Sequence, residues 1–269
     1  MDEDTRDELF HQAKKWVEEA GEIIRNKIND PLTIDTKSDA KDLVTQMDKA
    51  IEYFFVQRIK QEYPNHLVLS EEGYGDDVTS MDGTIWIIDP IDGTMNFVQQ
   101  KRNFAISVGI YHDGVGEIGL IYNVIDDVLY SAKRTQGAFR NDVKLPKLKE
   151  RLTLEKSMLG LNHYWLCDNR LVEGTEMQRL VRKIRGTRSY GSAALEFAFV
   201  AEGILDGYLA ISLSPWDIAA GMVIVNEVGG VSTNIEGKPL HILEKNSVMT
   251  CHPAIHDQLI QEYIQVGKK

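Results

Sequence analysis

The segment Trp86-Ile87-Ile88-Asp89-Pro90-Ile91-Asp92-Gly93-Thr94-Met95-Asn96-Phe97 drives an apolar run into two carboxylates, a glycine and a hydroxyl. Carboxylates at the end of a buried strand are costly unless a bound cation or a shared proton compensates them. Glu71-Glu72, after a shorter apolar run, adds two more acids. A ligand set made only of oxygen, with no His or Cys, favours a hard ion, magnesium first and manganese second. The register is not that of a calcium-binding EF-hand loop, because the third and fifth positions counted from Asp89 are Ile91 and Gly93. A strand-end turn would by itself explain Asp and Gly here. Pro90, which holds Asp89 extended and removes an amide, and Gly93-Thr94, which opens free N–H groups, favour a functional site instead: acidic ligands beside an anion cradle.

Other chemistry-bearing residues are more ambiguous on their own. Ser214-Pro215-Trp216-Asp217 reads as an N-cap, a proline at N1 and an acid at N3, so Asp217 suits a capping box or a metal equally well. Asp48 closes Thr45-Gln46-Met47-Asp48, where capping is the simplest role. Alone, Glu71-Glu72 reads as a solvated loop and Lys37 as a surface charge. Gly191-Ser192-Ala193-Ala194 reads as a helix start capped by Ser192.

The elements that must position these residues follow from periodicity. Apolar residues spaced by three and four over 5–28 predict an amphipathic helix, opened by a Thr5-x-x-Glu8 capping box. A second helix is expected from Met47 to Glu62, ending before Pro64. Runs at Leu67–Ser70, Thr84–Ile88, Ala105–Tyr111, Glu117–Tyr122 and Val128–Ala132, separated by turn residues, predict an antiparallel meander. After the lysine-rich Lys144-Leu145-Pro146-Lys147-Leu148-Lys149 the pattern alternates strand and helix. The expected division is an α+β domain over 1–145 carrying most metal ligands, then an α/β domain over 146–269 carrying Asp217 and the substrate-side residues. A cleft between two such halves suits a small molecule.

Composition narrows the partners. The 269 residues are 43% hydrophobic and 26% charged, which is ordinary for a globular protein. The acidic N-terminus is unlike a signal peptide and no apolar run reaches membrane-spanning length, so a cytoplasmic location is expected. Cys167 and Cys251 lack any metal or disulfide spacing and are expected to be buried thiols. A net charge of −11 argues against nucleic acid and against an anionic membrane. It would also repel an anionic substrate, unless divalent cations reverse the sign locally.

Taken together, Glu71-Glu72, Asp89-Pro90-Ile91-Asp92-Gly93-Thr94-x-Asn96-Phe97 and Trp216-Asp217-x-Ala219-Ala220-Gly221 resemble the inositol monophosphatase family of magnesium-dependent, lithium-sensitive phosphomonoesterases. The resemblance runs from the first helix to Glu227-x-Gly229-Gly230. It implies a layered α-β-α-β-α sandwich of the sugar phosphatase type, α+β with α/β character, with mixed and antiparallel sheets. It also implies a first metal on Glu71, Asp89 and the Ile91 carbonyl, and a second on Asp89, Asp92 and Asp217. A third and weaker ion would rest on Glu71 and water, so two or three Mg2+ ions are expected, with Mn2+ as a substitute.

By the same resemblance Thr94 and Asp48 orient the attacking water and Lys37 supports the metals. Gly93, Thr94, Gly191, Ser192, Ala193 and Asp217 are expected to meet a small phosphorylated substrate, in a homodimer. The chain departs from inositol-specific members at Ala210, where they carry a glutamate seven residues before the Trp-Asp aspartate. Loss of that hydroxyl acceptor relaxes selectivity towards other sugar phosphates or the 2′-phosphate of NADP without touching the phosphoryl chemistry.

Two other readings compete. A haloacid-dehalogenase-type site uses Asp-x-Asp, whereas Asp89 and Asp92 are separated by one residue more, which changes their relative direction on a strand. A passive metal-binding or regulatory protein would have no need of a hydroxyl such as Thr94 beside its carboxylates.

Overall fold

The computed structural model describes residues 1–31, 34–36, 43–148, 152–169 and 171–264. In chain order the elements are α1 (Glu3–Lys27), β1 (Ile34–Thr36), β2 (Leu43–Thr45), α2 (Gln46–Glu62), β3 (Leu67–Ser70), β4 (Thr84–Asp92) and α3 (Thr94–Gln100). The strands β5 (Ala105–His112), β6 (Val115–Asn123), β7 (Val128–Lys133), β8 (Gly137–Arg140) and β9 (Val143–Lys144) follow. The remainder is β10 (Met158–Gly160), α4 (Gly174–Lys183), β11 (Gly186–Arg188), α5 (Ala193–Glu202), β12 (Gly207–Leu213), α6 (Pro215–Glu227), β13 (Val231–Thr233), β14 (Asn246–Cys251) and α7 (Pro253–Glu262).

Strands β3 to β9 lie in sequence order in a seven-stranded sheet, and the order β11-β10-β12-β14-β13 makes a five-stranded one. The expected meander holds from β4 onward, but β3 runs parallel to β4. The connection over 71–83 returns the chain to the end of the sheet where β3 began, as a parallel pair requires. In the smaller sheet β10 is parallel to both β11 and β12, and β14 is antiparallel to β12 and β13.

The sheets are layered by alternation of side chains. On β4, Trp86 and Ile88 face a core with Trp16 and Ile24 of α1 and Phe55 of α2. Ile85 and Ile87 face the other way, into a core with α5, α6 and residues Tyr208, Ala210 and Val248 of the smaller sheet. A third core packs Leu159, Leu209 and Met249 against Met177 of α4 and Leu259 of α7. The order is therefore helix, sheet, helix, sheet, helix. Helix α6 comes very close to the larger sheet: a Cβ on Gly119 would lie 2.4 Å from the Ala220 carbonyl oxygen.

Two local expectations need correction. The N-cap of α1 is Asp2, which accepts from the Thr5 N–H at 2.9 Å, so Thr5 is inside the helix rather than capping it. An acid three positions earlier meets the orphan amides first. Cys251 is buried as expected, but Cys167 is exposed. No helix among the described residues is long and apolar enough to cross a membrane.

Candidate active site

The site is built at the end of β4, the nine residues of which are all buried. Asp89 pairs with Ser107 of β5 and Asp92 with Ala105, so Pro90 and Ile91 together oppose the single residue Ile106. This is a β-bulge, and Pro90 suits it because it has no N–H to contribute to the ladder. Residues three apart on a regular strand face opposite sides; the extra residue returns Asp92 to the side of Asp89. Gly93 follows at φ 94°, a conformation glycine adopts without strain, and turns the chain into α3.

Asp217 completes the cluster from the first turn of α6, and oxygens of Asp89, Asp92 and Asp217 all lie within 4.8 Å of one another. The Ser214 N–H donates to Asp217 at 2.7 Å, so this acid caps its helix and still faces the other two. Glu71, just past β3, lies close enough to Asp89 to act on its carboxyl. Burial, and then the charges of Glu71, Asp92 and Asp217, hold Asp89 well above the usual carboxylate range. Asp92 is pushed up to about 6 by burial, against donation from the Ser192 hydroxyl and the Ala194 N–H. Asp217 is raised well above its ordinary value by burial and then by Asp92.

These residues fit a hard divalent cation. All the donors are carboxylate oxygens, they converge, and among the described residues none of Asp89, Asp92 and Asp217 forms an ion pair with a lysine or arginine. The Ile91 N–H donates to Asp89 at 3.0 Å, and the Ile91 carbonyl accepts from the Thr94 hydroxyl at 3.1 Å.

Beside the cluster, the Thr94 hydroxyl also reaches Asp48 Oδ1 at 3.0 Å. Asp48 Oδ2 accepts from the Thr45 N–H at 2.9 Å and the Thr45 hydroxyl at 2.5 Å, so Asp48 caps α2 and engages Thr94 at once. Burial raises Asp48, opposed by these hydrogen bonds. The turn before α5 closes the site opposite: a Cβ on Gly93 would meet the Gly191 carbonyl oxygen and Ser192 Cβ at 3.2 Å. Gly191, Ser192, Ala193, Asp92 and Asp217 line one pocket of about 260 Å³. Lys37 lies outside the described residues. Every other candidate read from the sequence is thus brought to one place.

Sequence reasoning passed over several supporting groups. Glu52, wholly buried, accepts from the Ser70 hydroxyl at 2.7 Å, the Glu72 N–H at 2.5 Å and the Tyr74 N–H at 2.8 Å, and so fixes the loop that carries Glu71. The signal was present: Asp48, Glu52, Phe55 and Ile59 share one stripe of α2, and an acid in an apolar stripe asks for a partner. Asn96 donates to the carbonyls of Asn103 at 2.8 Å and Tyr190 at 2.7 Å, tying α3 to the turn before α5. Glu196 accepts from the Tyr190 N–H at 2.8 Å and is pushed up to about 7 by burial.

Comparison with known proteins points to one family. The model of the inositol monophosphatase family matches residues 5–268. The chain is 51% identical to the inositol-1-monophosphatase of Bacillus subtilis strain 168 over 261 residues, covering 97% of this chain and 98% of that one. Its fold is similar to a staphylococcal IMPase-II bound to 2′-AMP, with 41% identity and TM-score 0.87, covering 95% and 94% of the two chains. It is also similar to an IMPase/NADP phosphatase complexed with Mg2+ and phosphate, with 26% identity and TM-score 0.88, covering 97% and 99%.

Proposed function

The chain belongs to the inositol monophosphatase family, and from that premise we propose how its residues divide the hydrolysis of a phosphomonoester. That it is a magnesium-dependent phosphomonoesterase follows from the family and from its relatives. The observation that carries the residue assignments is the convergence of Asp89, Asp92 and Asp217 within 4.8 Å, with Glu71 near enough to raise Asp89.

Glu71, Asp89 and the Ile91 carbonyl hold one Mg2+, and Asp89, Asp92 and Asp217 hold a second. A third and weaker ion rests on Glu71 and water, and Mn2+ can replace Mg2+. Bound there, the ions neutralise phosphoryl oxygens and make a nearby water more acidic. The protein's own groups do the rest. Gly93 and Thr94 open a helix, so their N–H groups have no acceptor within it and are available to the phosphate. Thr94 accepts a proton from the attacking water and passes its own to Asp48 Oδ1, 3.0 Å away. Burial makes Asp48 readier to take it. The new O–P bond forms as the ester P–O bond breaks, and the leaving alkoxide takes its proton from solvent.

The turn Gly191-Ser192-Ala193 and Asp217 border the leaving group, and Lys37 supports the metal side. The substrate is inositol monophosphate or a related sugar or nucleotide phosphate. The name of the Bacillus relative supports the first, and the 2′-AMP held by the staphylococcal one supports the second. The alternative chief substrates are the 2′-phosphate of NADP and fructose 1,6-bisphosphate, since Ala210 offers no hydroxyl acceptor. A homodimer in the cytoplasm, with units at 1–145 and 146–269, completes the proposal. The test is phosphate release from inositol phosphate, fructose bisphosphate and NADP with and without magnesium. Release that persists after complete chelation would refute it.

A further inference from the structure

The parallel strands of the smaller sheet have a pocket at each end. Where β10, β11 and β12 finish, Asn162, Ser189 and Leu213 line the pocket beside the carboxylate cluster. Where they begin lies another of about 490 Å³: Met158 opens β10, Arg185 precedes β11 and Asp206 precedes β12. That volume is in the range of small-molecule sites. Open α/β sheets bind their main ligand beyond the C-terminal ends of the strands, so the hydrolytic machinery makes no use of this opposite end.

The second pocket combines an apolar floor with a cationic rim. Leu148, Met158, Ala201 and Leu205 line it, and Ile204 stands beside them 45% exposed. Lys147, Lys156 and Arg185 line it as well, in a chain of net charge −11. Lys147 has a structural duty, since its ammonium donates to the Glu227 carbonyl at 2.7 Å, at the end of α6. Lys156 and Arg185 have none. Both are exposed, and neither side chain makes a hydrogen bond or an ion pair among the described residues. The Arg185 N–H donates to the Ser157 carbonyl at 3.0 Å, which sets the two cations on neighbouring stretches of chain at one edge of the sheet. Like charges placed side by side repel.

The other polar groups of this pocket are engaged elsewhere. Glu202 accepts from the Tyr130 hydroxyl and pairs with Arg140 at 3.4 Å. Asp206 accepts from the Met158 N–H at 2.8 Å, and His252 Nδ1 accepts from the Ala254 N–H at 3.0 Å to cap α7. The two unanswered cations call for an anion from outside the chain, and the floor calls for an apolar body behind it.

We propose that this pocket binds a small organic anion, a phosphate or carboxylate head on an apolar body, with Lys156 and Arg185 at the head and Leu148, Met158 and Leu205 against the body. The inference stands apart from the phosphatase reading. The two pockets share no lining residue, so an occupant leaves the carboxylate cluster clear. Charge-assisted hydrogen bonds from a lysine and an arginine suit either head.

The test is calorimetric titration of the full chain in EDTA, where the metal-free carboxylates repel anions from the catalytic pocket. Phenylphosphonate and octanoate probe the two heads with a body, and inorganic phosphate probes a head alone. The tighter of phenylphosphonate and octanoate identifies the head, and phenylphosphonate should bind about tenfold more tightly than inorganic phosphate. Affinity should fall as salt is raised. Replacing both cations, Lys156→Ala with Arg185→Ala, should weaken binding at least tenfold, whereas Arg182→Ala, an exposed cation of α4 outside the pocket, should leave it unchanged. Ile204→Asp, which adds a carboxylate beside the floor and keeps both cations, should weaken it as well. Wild type that binds none of the probes, or binding that survives loss of both cations, overturns the proposal. Equal affinity for phenylphosphonate and inorganic phosphate overturns the apolar half of it.

Discussion

The two sheets contribute to the site in different ways. The larger sheet presents its carboxylates from one wholly buried strand, flanked by neighbours on both sides and bent by a bulge. The smaller sheet contributes turns and strand ends: the Gly191-Ser192 turn, the ends of β10 and β12, and Asp217 at the start of the helix between the layers. A rigid strand suits groups that must keep fixed distances from a small ion, whereas turns and strand ends tolerate exchange of the residues that meet a leaving group. On the proposed assignments, reaction chemistry and substrate choice should be separable, and the division can be tested from either side.

The largest effect should come from the rigid side. Asp92→Asn removes the charge of a proposed metal ligand but keeps a side chain that accepts from Ser192 and Ala194. Turnover should fall on the order of 10³-fold, about 4 kcal/mol, for every substrate alike. The circular dichroism spectrum should be unchanged; a loss confined to one substrate would break the division. Thr94→Ala comes next. It takes away the hydroxyl bonded to Asp48, and activity should drop about 10²-fold. Magnesium binding followed by calorimetry should remain near wild type, which separates proton handling from ion holding.

The ions should also couple to stability, with a sign that burial sets. Without metal, Asp89, Asp92 and Asp217 have folded-state pKa values above the ordinary 3.8, Asp92 at about 6. Between those limits the folded protein binds more protons than the unfolded chain, so stability falls as pH rises. These groups stabilise nothing at neutral pH unless a cation takes the place of the protons. Saturating magnesium at a hundredfold excess over Kd should add about 2.7 kcal/mol, or roughly 5–10 °C in Tm. The gain should be greater at pH 8 than at pH 5, because protons compete with metal for the same oxygens. A gain independent of pH would mean the ion is held elsewhere.

The smallest effect belongs to the adaptable side. Ala210→Glu restores an acceptor near Tyr208 and should shift selectivity about tenfold towards inositol phosphate with kcat little changed. A fall in kcat for all substrates would show that the two sides are not independent.

What the sequence made legible follows from how local each signal is. Thr45-x-x-Asp48 and Ser214-x-x-Asp217 were readable as capping boxes because the partners lie within one turn, and both are present. The helices over Glu3–Lys27 and Gln46–Glu62 were readable from periodicity for the same reason. The parallel pairing of β3 with β4 was not, since nothing in either run specifies which neighbour it will meet. The bulge at Pro90-Ile91 escaped notice too. Period-two alternation set Asp89 and Asp92 in different directions, and only the pairing with β5 reveals the extra residue. Glu196 carries no motif at all; its meaning comes from what surrounds it in three dimensions.

The bare backbone at Gly119 has an effect on Asp217, which lies three residues before Ala220 on the same helix. Because a Cβ there would stand only 2.4 Å from the Ala220 carbonyl oxygen, a single methyl would act as a shim, lifting α6 off the sheet and widening the gap that Asp217 spans. Magnesium demands ligands at about 2.1 Å while calcium accepts about 2.4 Å. With Asp217 as the proposed ligand, a missing side chain far from the chemistry would work as a ruler for ionic radius, and Gly119→Ala should tilt competition titrations from magnesium towards the larger cation.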